Sequence, residues 1–182
     1  MAAAVILSPR DAQDGPGPWV LDGARIDDSK RLSPAQRERA RRVILARAEV
    51  SVGIVPAEII DRLGILSATF EAMRQAVEAL PAPPDMALID GTMAPPLTIP
   101  SRCLIGGDGR SLPIACASIM AKTLRDSLMG FYHRLFPDWS FDRHKGYGTA
   151  LHRAALLACG PSFLHRVSFQ PIAQALECSP SA

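Results

Sequence analysis

The sequence predicts an α/β fold, a mixed sheet flanked by helices, and three observations carry that prediction. Short apolar runs bounded by turn residues, at residues 2–7 and 86–89, read as buried strands. Longer segments with apolar residues three and four apart, above all residues 113–135, read as helices. The two kinds of segment alternate along the chain, as they do in α/β domains.

Each element has a local cause. Ala2-Ala3-Ala4-Val5-Ile6-Leu7 is an uninterrupted apolar run of strand length, and the Pro, Gly and Asp of residues 8–18 make an exposed loop before Trp19-Val20-Leu21. Asp27-Asp28-Ser29-Lys30 forms a polar turn. Ser33 offers an N-cap oxygen and Pro34 a fixed φ at the first helical position, so a helix is expected from Pro34 to about Glu49. It is Arg-rich outside and apolar along Ala40, Val43, Ile44 and Ala48, and a strand follows at residues 50–55.

Residues 56–63 read as a short helix, and residues 66–80 as a longer one, apolar at Leu66, Phe70, Met73 and Val77 and stopped by Pro81-Ala82-Pro83-Pro84. The run 86–89 reads as a fully buried strand that delivers Asp90 and Gly91 at its C-terminal edge, where open α/β sheets place ligands. Helix 113–135 carries an apolar stripe of Ile114, Ala117, Ala121, Leu124, Leu128, Phe131 and Leu135. Ser118, Lys122 and Asp126 fall on a second stripe. Residues 137–149 form a loop rich in His, Lys, Gly and aromatics, and helix 150–159 ends at Gly160-Pro161.

Composition narrows the function classes. With 48% hydrophobic residues in 182, one domain with its own core is expected, over residues 1–173, followed by a tail at 174–182. A formal charge of +2 argues neither for nor against nucleic acid, because phosphate binding needs only a local basic surface. Cys103, Cys116, Cys159 and Cys178 have no metal-ligand or C-x-x-C spacing and read as reduced thiols. The apolar opening is too short for a signal or a membrane span, so a cytoplasmic protein with no membrane partner is expected, with a monomer as the default. Lys30, Lys122 and Lys145 are the only lysines among 20 basic residues, and all fall in polar segments where a compact ammonium suits a phosphate or a carboxylate.

Asp90, at a strand end, and Asp126, midway along a helix that must pack on the sheet, suggest a site for Mg²⁺ or Mn²⁺. These ions take hard oxygen ligands and keep several waters. The same two residues also fit a turn cap through Gly91 and a helical ion pair with Lys122.

A wider set of motifs decides between these readings. Asp28-Ser29-Lys30-Arg31-Leu32, Leu88-Ile89-Asp90-Gly91, Ile105 to Ser111, Ala115 to Asp126, His144-Lys145-Gly146-Tyr147-Gly148-Thr149, His165-Arg166 and Ser168-Phe169 with Pro171 stand in the order and separation seen in ribonuclease HII. The chain resembles that family from Ala2 to Pro171. The resemblance implies a ribonuclease H-like fold and cleavage, dependent on Mn²⁺ or Mg²⁺, of RNA–DNA hybrids and of DNA 5′ of embedded ribonucleotides. It implies Asp90 and Asp126 as catalytic metal ligands, and Tyr147 as the residue that packs on the ribonucleotide. Arg110, Ser111, Lys122, His144 and Lys145 are implied as contacting or organising phosphates, while His165, Arg166 and Ser168 hold the C-terminal segment.

The chain departs from the family pattern in four places. The family's central first strand, with an Asp-Glu-x-Gly-Arg-Gly segment that supplies two of four catalytic acids, is absent upstream of Ala2. The expectation is an open reading frame that extends upstream, and poor folding or a catalytically dead, hybrid-binding product without it. Gly106 stands where the family usually has Lys, Arg110 replaces a Lys, and Gly64 takes a usual Asn position.

Overall fold

A computed structural model describes residues 1–11, 13 and 15–169. Cys178, Pro171 and the tail at 174–182 lie outside the described residues. The chain divides into two compact units, Met1–Ile54 with Thr69–Thr123, and Val55–Ala68 with the described residues from Leu124.

The first unit holds six strands in three two-stranded sheets. β1 (Ala2–Leu7) pairs antiparallel with β4 (Ala48–Gly53), from Ala2 opposite Gly53 to Leu7 opposite Ala48. β2 (Trp19–Leu21) and β3 (Ala24–Ile26) form a hairpin. Its turn is Asp22-Gly23, with φ of 44° and 72°, so both central residues are left-handed as tight hairpin turns require. β5 (Ala87–Asp90) pairs parallel with β6 (Ser101–Leu104). Antiparallel and parallel pairs are both present, but among the described residues they are separate sheets.

Helix α1 (Pro34–Arg47) begins as expected, with a full capping box: Ser33 Oγ accepts from Gln36 N–H at 3.3 Å and Gln36 Oε1 accepts from Ser33 N–H at 2.8 Å. It ends two residues early, where Ala48 turns extended to open β4. Buried Ala40 and Ile44 face a core with Trp19, Leu21, Ala24 and Ile26.

Three expectations of burial are corrected. On α3 (Ile65–Glu78) the buried positions are Ala68, Ala72 and Ala76, while Leu66 is exposed and Phe70, Met73 and Val77 are half-buried. Small residues are needed because helix and strand approach closely: a Cβ on Gly53 would stand 1.9 Å from the Ala72 carbonyl oxygen, and Ser51 Oγ donates to the Ala76 carbonyl. On α4 (Leu112–Leu135) Ile114 is buried as expected, but the rest of the buried face is Leu112, Ala115, Cys116, Ile119, Met120 and Thr123, whereas Phe131 and Leu135 are exposed. The helix is apolar on two sides, so spacing alone does not single out the inner one. Strand β5 alternates, with Ala87 and Ile89 buried and Leu88 exposed. Leu88 instead lines a cleft of about 500 Å³ with Leu7, Met86, Arg102, Leu104 and Leu112.

The second unit contains α2 (Ala57–Leu63), α5 (Phe141–His144) and α6 (Ala150–Cys159). The loop expected at residues 137–149 includes α5 and a 3-10 turn at Pro137–Trp139. Phe136, Trp139, Phe141 and Phe163 pack with His144, His152 and His165 into one aromatic cluster. Among the described residues no helix is long and apolar enough to cross a membrane, and Cys103, Cys116 and Cys159 are free thiols.

Candidate active site

Because β5 and β6 run parallel, their C-terminal ends lie at one edge, with Asp90 opposite Leu104. Gly91 N–H closes the ladder on the Leu104 carbonyl at 3.0 Å. The chain leaving β6 then turns at Gly107–Gly109, and Gly107 N–H donates to Asp90 Oδ1 at 2.9 Å. One carboxylate oxygen of Asp90 is thereby fixed, and the next residue in the turn is Asp108.

Asp108 is the acid that the sequence reading did not assign. Burial, and then the charges of Asp28 and Asp90, push its carboxyl above the usual range, against the opposing pull of Lys30 and of the Gly109 N–H. Asp28 is itself held in its turn, where Oδ1 accepts from Lys30 N–H at 2.9 Å and its carbonyl accepts from Arg31 N–H at 2.8 Å. Its neighbour Asp27 is buried. Burial opposes the Asp27 charge, but a hydrogen bond from Arg25 at 2.5 Å, another from Asp28 N–H at 2.8 Å and Arg31 at 3.8 Å keep its carboxyl below the usual value. Asp27 is therefore structural, as the turn reading expected of this segment.

Crowded carboxylates at a strand edge suit a hard cation, which relieves their repulsion. Asp90 and Asp108 supply hard carboxylate oxygens of the chemistry that Mg²⁺ and Mn²⁺ prefer. Asp28 acts on Asp108 through its charge, not as a third ligand: among the described residues no group of three or more His, Cys, Asp or Glu is arranged to hold an ion.

The other expected site residues fall in both units. Ser111 is buried at the start of α4, donating its N–H to the Gly107 carbonyl at 2.8 Å. Arg110 is exposed beside it, with Nη1 on the Ile105 carbonyl at 3.3 Å. Lys122 is half-buried in the part of α4 that belongs to the first unit. Asp126 lies in the second unit, half-buried, and its backbone carbonyl accepts from Lys145 Nζ at 3.4 Å.

Tyr147 is 55% exposed, and its ring lies on the Arg125 guanidinium, 4.7 Å from the centroid. Its backbone is pinned by His144, whose carbonyl takes the Tyr147 N–H at 2.8 Å, and by His152 Nδ1, 3.1 Å from the Tyr147 carbonyl. His144 is buried with both ring nitrogens engaged, by Trp139 O at 2.5 Å and Gly146 N–H at 3.0 Å. It organises the loop and has no nitrogen left for a phosphate. His165 holds the C-terminal segment as expected, through Ser162 and His152. Asp61, not assigned beforehand, anchors the same segment by accepting from Val167 N–H at 2.8 Å and from Ser168 N–H at 3.0 Å.

An acidic edge on an α/β scaffold is a setting for metal-assisted hydrolysis, and two solved structures with a similar fold are ribonucleases H. The crystal structure of the ribonuclease H2 from Pyrococcus horikoshii OT3 matches 96% of each chain with a TM-score of 0.68 at 19% identity. Bst-RNase HIII, solved in complex with Mn²⁺, matches 85% of this chain and 58% of its own at a TM-score of 0.60 and 17% identity. Both likenesses show that the fold is ribonuclease H-like.

The Ribonuclease HII family model matches residues 1–172, and the chain belongs to that family. It is 49% identical to the Ribonuclease HII of Chloroflexus aurantiacus over 97% of this chain and 81% of that protein. With the Ribonuclease HII of Chlamydia pneumoniae it shares 50% identity over 82% of this chain and 70% of the relative. With that of Geobacter sulfurreducens it shares 44% over 97% and 77%.

Proposed function

We propose that this chain is the body of an endoribonuclease that cuts the RNA strand of RNA–DNA hybrids and cuts DNA 5′ of embedded ribonucleotides, with Mn²⁺ or Mg²⁺ as cofactor. The observation that carries the reading is the shared edge of β5 and β6, which sets Asp108 beside Asp90. Bound divalent ions supply a Lewis acid and an activated water for phosphodiester hydrolysis. Asp90, with one oxygen fixed by Gly107 N–H, and Asp108 hold the ion. Arg110 and Ser111, in the same turn, and Lys122 and Lys145 meet backbone phosphates. Tyr147 packs on the ribose. Asp126, the acid to which the family resemblance points, is the competing second ligand, and the variants described in the Discussion decide between it and Asp108. The reading treats residues 1–173 as one functional domain, acting as a cytoplasmic monomer.

A second reading, a protein that binds hybrids without cutting them, is favoured by one observation: no group of three metal-ligating side chains among the described residues. The test is incubation with Mn²⁺ of a labelled DNA duplex carrying one ribonucleotide, with the product ends mapped. A nick on the 5′ side, leaving 5′-phosphate and 3′-hydroxyl ends, is expected. Tight binding without a nick selects the second reading, and neither binding nor nicking overturns both.

A further inference from the structure

We propose that Arg125 is a positioning residue: its guanidinium is the inner platform on which the Tyr147 ring rests, so that the outer face of the ring is presented to the sugar of a ribonucleotide. The inference deepens the proposed function and rests on the role given there to Tyr147.

The starting point is a polar atom in an unusual state. Arg125 Nη1 is buried and has no hydrogen-bond partner, whereas buried polar nitrogens in folded proteins nearly always have one. What does lie over the guanidinium is the face of Tyr147, with the centroid 4.7 Å from Cζ. An aromatic face carries the negative end of the ring quadrupole and attracts a cation placed over it. At Nη1, then, Arg125 has no conventional acceptor, and the Tyr147 face lies over the guanidinium.

The surrounding loop is built to keep this stack in place. Gly146 runs close enough to the guanidinium that a Cβ there would meet Arg125 Nη2 at 3.7 Å. Lys145 Nζ tethers the loop to the Asp126 carbonyl, one residue along α4 from Arg125. His144 and His152 fix the Tyr147 backbone. With its backbone pinned and one ring face on Arg125, Tyr147 is still 55% exposed. Planarity matters here: a lysine keeps the charge but has no flat surface to lie under a ring.

The experiment measures fluorescence anisotropy without divalent metal, so that nothing is cut. The full chain and its Arg125→Lys, Arg125→Met and Tyr147→Ala variants bind a DNA duplex with one embedded ribonucleotide and the same duplex made wholly of DNA. Thermal melts check that each variant is folded. Both Arg125 variants are expected to lower the preference for the ribonucleotide duplex roughly three- to fivefold, the worth of a cation–π contact at a partly exposed site. Affinity for the all-DNA duplex should hold, and neither change should add to Tyr147→Ala.

Wild-type discrimination by Arg125→Lys overturns the proposal, since charge alone would then suffice. So do losses that are equal on both duplexes or that add to Tyr147→Ala, because Arg125 would then act on phosphate or on loop folding. If Tyr147→Ala leaves discrimination unchanged, the reading of Tyr147 itself fails. If Tyr147→Ala lowers it and the Arg125 variants do not, the platform alone fails.

Discussion

Asp90 was legible as a site residue because a buried apolar run ends on it, and Asp108 was not, because its position depends on a strand the sequence hides. Ser101-Arg102-Cys103-Leu104 has too little apolar patterning to read as β6, yet it is this strand, parallel to β5, that carries Asp108 to the edge occupied by Asp90. The two acids offer a direct comparison with Asp126. Mn²⁺ binding, followed as loss of the free-ion electron paramagnetic resonance signal, should weaken about tenfold or more in Asp90→Asn and in Asp108→Asn, since each loses a charged hard ligand. Asp126→Asn tests the ligand that the family resemblance implies: a loss as large as that of Asp90→Asn makes Asp126 the second ligand, and unchanged binding gives that place to Asp108. Histidine patterning was also only half legible. His144, His152 and His165 each engage both ring nitrogens, and burial, with the charge of His152 next, lowers His165 from an ordinary 6.5 to about 4. The folded state favours the neutral ring, so stability is full above pH 6.5 and is lost as pH falls from 6.5 towards 4, where the unfolded chain takes the proton first. Melting temperatures across this range should fall with acid, and His165→Gln should flatten the fall; a flat profile in the unmodified chain would contradict the buried neutral ring.

At the level of elements, capping chemistry and turn residues were better guides than the size of apolar side chains. The start of α1 followed from Ser33 and Pro34, and Ser33→Ala should cost about 1 kcal/mol, read as a lower denaturant midpoint at unchanged slope. Helix α6 matched its expected bounds because Thr149 caps it and Gly160 ends it. The β2–β3 hairpin was missed although Asp22-Gly23 is its signal, since β3 is only three residues long. On α3 the bulky residues suggested the wrong face. The seam with β4 is made of Ala72 and Ala76 because Gly53 and Ser51 bring the strand against the helix backbone. Gly53→Ala should therefore cost about 3 kcal/mol or more, the upper range for overpacking, and a near-neutral change would mean that this contact yields easily.

For the whole molecule, alternation of strand and helix was enough to give the α/β class, and the ordered motifs gave the family that the comparison with known proteins shows. Pairing was not legible: strand periodicity tells which face is covered but not which strand lies alongside, so the separate β1–β4 and β5–β6 sheets emerged only from the structure. The central claim is that the edge of β5 carries the metal-dependent chemistry of a ribonuclease HII. Its most direct test is the single-turnover rate of nicking, under saturating Mn²⁺, of a DNA duplex with one embedded ribonucleotide, measured side by side for the unmodified chain and Asp90→Asn. The account predicts a nick on the 5′ side of the ribonucleotide and a loss on the order of 100-fold or more in the variant, as for removal of a group that stabilises the transition state electrostatically. Equal rates for the two proteins, or an intact duplex with both, would contradict it.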